Sequence, residues 1–289
     1  MGAMFFGQYL LSKGAISREA LIDAIELQRR SNLSLSELAL RKGYLSEGQH
    51  AAIQVRYRTS DADLETLCLE SGLINRAQLD ELIEIQRSDW VRIGAALVAG
   101  GHLTRDQVEG RLAEFQEVQR EADRKLAADF ESCPNPDLVR SVVELTVFHL
   151  GRLTNLPIKL GSFSEGAGRL RPGRRRFGMK LVGDREIVIV LDLPPEVARL
   201  VAEGLIGMPL EAETEVTIDA VCECVNIIGG NACTRLEALG FRLRPEPPFS
   251  SAGDEPATED SSAFCANVIA GEQGFDVQVF LWCCGLRPG

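Results

Sequence analysis

The sequence predicts two domains of different fold class, an all-α repeat array followed by an α+β domain with helices packed on an antiparallel-rich sheet. Two observations carry this prediction. Glycines recur every 29 residues in the first half, whereas strand patterns, turn residues and two-faced helices occupy the second half. The 289 residues can form two cores at about 100–200 residues per domain. We place the helical domain at 1–118, a connector at 119–136 and the second domain at 137–289.

The composition is that of an ordinary globular chain with an acidic balance. Its hydrophobic fraction is 45%, its formal net charge is −11 and its pI is about 4.9. An acidic chain is a poor partner for nucleic acid polymers and for anionic membrane surfaces. We find no run of 18 apolar residues and no basic start of a signal peptide, so we expect no membrane insertion. We expect a cytoplasmic protein whose eight cysteines are mostly reduced core residues.

Four glycines mark four helix–turn–helix units in the first domain. Each glycine suits the left-handed position that follows a short helix. A residue that commonly caps helix N-termini follows three positions later, and in the last three units a glutamine three positions further completes a capping box. The glycines are Gly14, Gly43, Gly72 and Gly101, and the capping residues are Ser17, Ser46, Asn75 and Thr104. Each unit is therefore predicted to be a short helix, a glycine turn and a longer helix.

This repeat resembles the MshEN family, the N-terminal domain of type II secretion and pilus assembly ATPases. The family motif opens with Arg-Leu-Gly and closes on a glutamine, and its repeat length matches the 29-residue period seen here. Tandem motifs of that family can bind cyclic di-GMP. The last unit keeps the opening as Arg92-Ile93-Gly94, so the resemblance implies Arg92 and Gly94 as candidate nucleotide-binding residues.

The other three units depart from that opening. Phe5, Ser34 and Asp63 stand where the family has arginine, and only Gln28 and Gln86 keep the closing glutamine. A phosphate ligand favours arginine because its planar guanidinium binds two oxygens at once. We therefore favour a protein-interaction module over a nucleotide sensor at the repeats, and keep a cyclic di-GMP effector as an alternative.

The second domain shows alternating helix and strand signals. The predicted elements are a helix at 137–151, a hairpin of 177–182 and 186–191, a helix opened by Pro194 and Pro195, a helix within 215–240, and strands at 264–270 and 275–282. We expect Asp137 to cap the first helix and His149 to be a buried structural residue. The last strand is expected to offer a free edge through which two copies pair.

The segment 215–240 carries the clearest site signal. Asp219, Glu223, Asn226 and Gly230 follow one another at spacings of 4, 3 and 4, which places them along one helix face away from the apolar face. A glycine inside a helix costs about 1 kcal/mol against alanine. A functional face and a solvated face with no special role both remain open on these residues alone.

The same residues resemble the signature of the CheC/CheX/FliY phosphatases of bacterial chemotaxis, and CheX-like domains most closely. The signature positions are Asp219, Glu223, Asn226, Gly230, Cys233, Leu236, Gly240 and Pro245, with Cys233 standing where the family has lysine. The family removes phosphate from the aspartyl-phosphate of response regulators. The resemblance implies that Asn226 positions a water and that Glu223 contacts a lysine of the regulator, with Asp219 and Gly230 supporting them. No cofactor of the chain's own is implied, because Mg²⁺ is bound by the regulator.

Three functions follow as alternatives. The leading one is a CheX-like phosphatase that acts on a phosphorylated response regulator, forms a homodimer and uses the repeats as an adaptor. The second is a non-catalytic signalling scaffold, and the third is a cyclic di-GMP effector. Catalysis requires that Asn226 be exposed and free of intramolecular partners, whereas scaffolding does not.

Overall fold

The structure is a computed structural model that describes residues 4–60, 62–165, 173–210, 214–251, 261–272 and 275–284. The chain divides into two compact units. We call Phe6–Phe115 the N-terminal unit, and Met1–Phe5 together with Gln116–Gly289 the C-terminal unit. Each unit is described separately.

The N-terminal unit is helical throughout its described elements, and helices of seven residues alternate with longer ones. The helices are α1 (Phe6–Ser12), α2 (Arg18–Ser31), α3 (Leu35–Arg41), α4 (Glu47–Thr59), α5 (Leu64–Glu70), α6 (Arg76–Asp89), α7 (Ile93–Ala99) and α8 (Arg105–Glu131), the last of which continues into the C-terminal unit. Leu38, Leu79 and Leu82 are among the buried residues that join α3 to α6. Burial of such side chains outweighs the modest stability of short helices.

The turns of this unit confirm the predicted local chemistry. The four glycines 14, 43, 72 and 101 have φ between 64° and 73°, a region that residues with a Cβ rarely adopt. Ser46 and Asn75 form complete capping boxes with Gln49 and Gln78. Thr104 exchanges the same pair of hydrogen bonds with its glutamine at 2.8 and 3.3 Å. These caps satisfy backbone N–H groups that a helix start leaves without partners.

The C-terminal unit is an α+β fold with one antiparallel sheet, as the sequence predicts. Its elements after α8 are α9 (Pro136–Thr154), β1 (Ile158–Glu165), β2 (Arg175–Gly183), β3 (Glu186–Leu193), α10 (Pro195–Ile206), α11 (Glu215–Ala238), β4 (Leu243–Pro245), β5 (Phe249–Ser251), β6 (Ser261–Ala270) and β7 (Phe275–Cys284). The strand order is β1-β6-β7-β3-β2-β4, with β5 also paired to β2. The core contains residues from the end of α8, from α9, α10 and α11 and from one face of the sheet, among them Val143, Val201, Val225, Ile189 and Phe264.

The last strand is not a free edge, so the predicted pairing of two copies through it is wrong. β7 is hydrogen-bonded to β6 on one side and to β3 on the other. Its sequence, FDVQVFLWCC, is apolar at most positions rather than at every second one. Such a run is typical of a strand in the middle of a sheet rather than of an exposed edge.

Two further expectations need correction. Helix α9 begins at Pro136 after a left-handed Asn135 with φ 59°, so Asp137 lies in the first turn rather than at the cap. Strand β1 was not predicted, because Gly161 and the serines of IKLGSFSE give no regular alternation. Gly161 lies at the register shift between β1 and β6, where an irregular strand pairs with a regular one.

Helix α11 is long and apolar, so its composition alone does not distinguish a core helix from a membrane-spanning one. By length and hydropathy it is the one helix among the described residues that could cross a membrane. Val221, Val225 and Ile228 of this helix are at most 1% exposed and belong to the core of the C-terminal unit. We therefore interpret α11 as the core helix of this unit.

Candidate functional site

Helix α11 carries the candidate site, and it is held against β2 at one point of very close approach. A Cβ added to Gly229 would lie 2.0 Å from Sδ of Met179, which is fully buried on β2. Because Gly229 has no side chain, the backbone of α11 can lie closer to β2 here than a residue with a Cβ would allow. Thr214 begins the helix by accepting a hydrogen bond from the backbone N–H of Thr217 at 3.2 Å.

The exposed side of α11 presents the polar stripe, which we define as Asp219, Glu223, Asn226 and Gly230. The three polar side chains are exposed and Gly230 is half-buried. A Cβ added at Gly230 would have nothing within 4 Å. The two glycines of the pair thus have different surroundings, since Gly229 lies against the sheet and Gly230 leaves open space beside the polar side chains.

Glu223 and Asn226 are neighbours, as their spacing predicts. Nδ2 of Asn226 donates a hydrogen bond to Oε2 of Glu223 at 3.3 Å. Asn226 therefore meets the requirement of exposure but not that of having no intramolecular partner. The contact is long for a hydrogen bond and open to water, so exchanging it for another partner costs little. Oδ1 of Asn226 has no hydrogen-bond partner among the residues that the structure describes.

The thiols beside the stripe are poor nucleophiles. Burial raises the pKa of Cys224 to about 12. The pKa of Cys222 is raised first by burial and then by the nearby Asp219, while Arg175 acts in the opposite direction. A raised pKa keeps a thiol protonated near neutral pH, and the thiolate is the reactive form. Within the described ranges no group of three or more His, Cys, Asp or Glu side chains could hold a metal ion.

His149 lies inside the unit, as expected. It is 0% exposed, and its Nε2 accepts a hydrogen bond from Nδ2 of Asn231 at 2.9 Å. The imidazole therefore joins α9 to α11 and lies away from the exposed stripe. Sequence reasoning did not assign Asn231, because the residue follows the glycine pair but falls outside the stripe.

The structure gives the N-terminal candidates Arg92 and Gly94 different settings. Arg92 is the exposed N-cap residue of α7, and its side chain makes no capping hydrogen bond. Gly94 is buried, and a Cβ there would lie 2.7 Å from Cγ1 of Val108 and 3.7 Å from Phe6. The glycine at this position is thus explained by close contact within the unit itself.

The closing glutamines of the repeats also have structural roles. Nε2 of Gln28 donates to the backbone O of Val91 at 3.0 Å, and Nε2 of Gln86 donates to the backbone O of Leu33 at 3.0 Å. Asn32 adds two further bonds to the backbone of Val91, at 2.9 and 2.7 Å. Each glutamine therefore fixes the segment that leads into a distant short helix.

Two of the other three opening positions, Ser34 and Asp63, cap helices. Ser34 accepts a hydrogen bond from the backbone N–H of Glu37 at 3.3 Å and forms a capping box at α3. Asp63 accepts from the backbone N–H of Thr66 at 2.7 Å at the start of α5. Both residues are short acceptors that satisfy the helix start.

Comparison with known families identifies the region around the stripe. Residues 178–270 match the family model described as Chemotaxis phosphatase CheX. The C-terminal region is CheX-like. The matched range contains the whole of α11 and all four residues of the stripe. No curated protein matches this chain.

Solved structures show a likeness over about half of this chain. A CheC-like superfamily protein from Shewanella sp. PV-4 is 16% identical, with 52% of this chain and 99% of that chain covered and a TM-score of 0.47. The chemotaxis protein CheX from Desulfovibrio desulfuricans is 18% identical, covering 51% and 99%, with a TM-score of 0.45. A CheX–CheY–BeF3–Mg²⁺ complex from Borrelia burgdorferi gives 21% identity, 51% and 97% coverage, and a TM-score of 0.42.

Proposed function

We propose that the C-terminal unit removes the phosphoryl group from the phospho-aspartate of a CheY-like response regulator in bacterial chemotaxis or a related two-component circuit. The observation that carries the proposal is the exposed Glu223–Asn226 pair on α11, next to the open surface at Gly230. The pair lies within the range that matches the CheX family model.

The chemistry asks little of this chain. A water attacks the phosphorus atom, the bond from phosphorus to the aspartyl oxygen breaks, and inorganic phosphate and a free carboxylate are released. The regulator supplies Mg²⁺ and a lysine that neutralise charge on the phosphoryl group. Asn226 contributes by orienting the water in line with the breaking bond, as amide side chains do in other phosphoryl transfers. An amide suits this role because it donates and accepts without adding negative charge.

Glu223 would fix the position of the regulator relative to α11. A carboxylate near a phosphoryl group is repelled unless a cation pairs with it, so Glu223 is expected to bind the regulator's lysine. Glu223 accepts from Asn226 in the free protein. Pairing with the lysine would release the amide of Asn226 for the water. Asp219 extends the negative surface by one turn, and the bare Gly230 lets the backbone of the regulator approach.

The proposal includes a cytoplasmic location and a homodimer of C-terminal units. It also gives the N-terminal helices, which resemble MshEN repeats, the role of an adaptor that binds a protein partner. Since β7 is an interior strand, any pairing of C-terminal units must use another surface. Light scattering at micromolar concentration tests this part, and a monomeric mass would contradict it.

Two other functions stay in competition with catalysis. In a scaffold the stripe would serve only as a docking face, so loss of Asn226 would at most weaken binding and would leave the receiver's rate of phosphate loss unchanged. A cyclic di-GMP effector is supported by Arg92, whose side chain makes no capping bond. The burial of Gly94 against Val108 speaks against a nucleotide approaching at that glycine.

The experiment measures loss of phosphate from a panel of phosphorylated receiver domains with the full-length protein and its variants. Wild type is expected to accelerate the loss for at least one receiver, and Asn226→Ala to abolish the acceleration. Glu237→Ala is the matched control, because Glu237 is also exposed on α11 but lies about two turns beyond Gly230 along the helix. No acceleration across the panel, or equal turnover by Asn226→Ala, would overturn the phosphatase.

A further inference from the structure

Two contacts of α11 lie on either side of Gly230 in the sequence. Gly229 lies against Met179 of β2, so close that a Cβ would be 2.0 Å from Sδ. Asn231 donates from Nδ2 to Nε2 of His149 on α9 at 2.9 Å. The first contact joins the helix to the sheet, and the second joins it to a neighbouring helix.

These two contacts flank the exposed stripe around the helix axis. At about 100° per residue, Gly229 lies about 60° to one side of Asn226, and Asn231 lies about 140° to the other side. Gly230 and Glu223 fall between them, at about 40° and about 60° from Asn226 on the side of Asn231. The contacts therefore resist rotation of α11 in both directions.

The hydrogen bond between Asn231 and His149 can fix the position of α11 because His149 is 0% exposed. A buried imidazole nitrogen that loses its partner is left without either water or protein to bond. An apolar contact between α9 and α11 would tolerate small sliding and rotation. A hydrogen bond between two side chains depends on distance and angle and tolerates much less.

We propose that Asn231 is a positioning residue, which acts through His149 to fix the rotation of α11 and so the place of the Asn226 amide. This inference rests on the proposed function, because it concerns the orientation of the water-positioning group. A helix with its side chains has a radius of about 6 Å, so a rotation of about 10° moves a side chain by about 1 Å. A displacement of about 1 Å can lower a rate about 100-fold when catalysis depends on orientation.

The kinetic test uses variants of the full-length protein on a receiver domain that wild type dephosphorylates. Asn231→Leu removes the hydrogen bond at similar volume, and kcat is expected to fall about 10- to 100-fold with KM changed less than about threefold. His149→Leu is expected to have the same effect, and the double variant to be no worse than either single one. His149→Gln keeps a side chain that can bond Asn231 and is expected to retain most of the activity.

Thr154→Val is the matched control for loss of a buried hydrogen bond. Oγ1 of Thr154 donates to the backbone O of Leu150 at 2.7 Å within α9 and does not bond α11. This variant is expected to keep the wild-type kcat. If Asn231→Leu also keeps the wild-type kcat, the positioning role is wrong while the phosphatase stands.

A measurement without turnover separates the two proposals. The side-chain amide of Asn226 and the backbone amide of Glu223, about two turns from the substituted residue, give NMR signals that report the local arrangement of the stripe. Both signals are expected to shift in Asn231→Leu and to stay in place in Thr154→Val. If wild type dephosphorylates no receiver, the proposed function fails and these signals alone decide the positioning role. Unchanged signals in Asn231→Leu would overturn it.

Discussion

The two candidate sites of this chain differ in what their glycines contact. Gly94 of the N-terminal unit lies against Val108 and Phe6, so the chain's own contacts account for the missing side chain. Gly230 of the C-terminal unit has nothing within 4 Å of the place where a Cβ would be. A helix glycine that no neighbour requires carries a cost in stability without a structural return. The comparison separates a glycine that the fold requires from one that leaves open surface, as Gly48 of α4 and Gly110 of α8 also do. At Gly230 the exposed Glu223–Asn226 pair beside the open surface is what supports the proposed approach of another molecule.

The polar residues of the two units also differ in whether contacts within the chain explain them. Gln28 and Gln86 bond to backbone oxygens that lie far away in the sequence, and so they stabilise the N-terminal unit. The described contacts of Asn226 consist of one long hydrogen bond to Glu223, its exposed neighbour. We therefore expect substitutions in the first group to lower stability and substitutions in the second to lower activity.

The glycine pair of α11 gives the largest expected change in stability. Gly229→Ala forces Met179 to move within a filled core and is expected to lower the free energy of unfolding by about 1–3 kcal/mol. Gly230→Ala is expected to raise it by up to about 1 kcal/mol, through helix propensity. Urea unfolding of both variants checks the prediction. Equal effects at the two positions would contradict the distinction between them.

Substitutions of Gly94 and Arg92, at the start of α7, distinguish a role in packing from a role in ligand binding. Gly94→Ala is expected to lower the free energy of unfolding by about 1–2 kcal/mol, because the branched Val108 moves less easily than a flexible side chain. Arg92→Ala, at the N-cap, is expected to change it by less than about 0.5 kcal/mol. Calorimetric titration with cyclic di-GMP then measures whether wild type and Arg92→Ala bind the nucleotide. Binding that Arg92→Ala abolishes would favour the nucleotide effector.

The closing glutamines are expected to have smaller effects on stability. Removing one hydrogen bond by Gln28→Ala or Gln86→Ala should cost about 0.5–1.5 kcal/mol in each case. The two effects should add, since the bonds reach different segments of the N-terminal unit. Denaturant unfolding of the two single variants and the double variant tests this. Unchanged stability in all three would leave the glutamines available for a ligand.

Substitution of Glu203 is expected to change the free energy of unfolding least, and the direction in which this change varies with pH can be tested. Its pKa is lowered first by the hydrogen bond from the backbone N–H of Leu210 at 3.0 Å, and also by Arg199. A carboxylate with a lowered pKa contributes stability above its unfolded pKa of about 4.3 and loses it as pH falls through the folded value. Glu203→Gln should therefore differ from wild type at pH 7 and converge with it in acid. A difference that does not vary with pH would contradict this account.

Local chemistry in the sequence predicted much of the fold and of the stripe. Helix caps and glycine turns depend on residues a few positions apart, so Ser46, Asn75 and Gly101 could be assigned without tertiary information. The neighbour relation of Glu223 and Asn226 follows in the same way from helical spacing. The place of β7 in the sheet could not be predicted, because it depends on a partner strand nearly 90 residues away in the chain.

Two other features were missed because they depend on contacts between elements. The role of Gly229 requires knowing that Met179 lies opposite it, which no local pattern reveals. The bond between Asn231 and His149 joins residues 82 positions apart. The sequence could name the residue types at both places but not the partners that give those residues their roles.

Asn226→Ala tests the central claim most directly when its stability and its activity are measured on the same sample. The exposed side chain makes one weak bond within the chain, so the free energy of unfolding should change by less than about 0.5 kcal/mol. Dephosphorylation of the responsive receiver domain should fall to the spontaneous rate, while binding to the beryllofluoride-activated receiver persists. A variant that is as active as wild type would contradict the claim that this exposed, structurally unneeded side chain is the functional group.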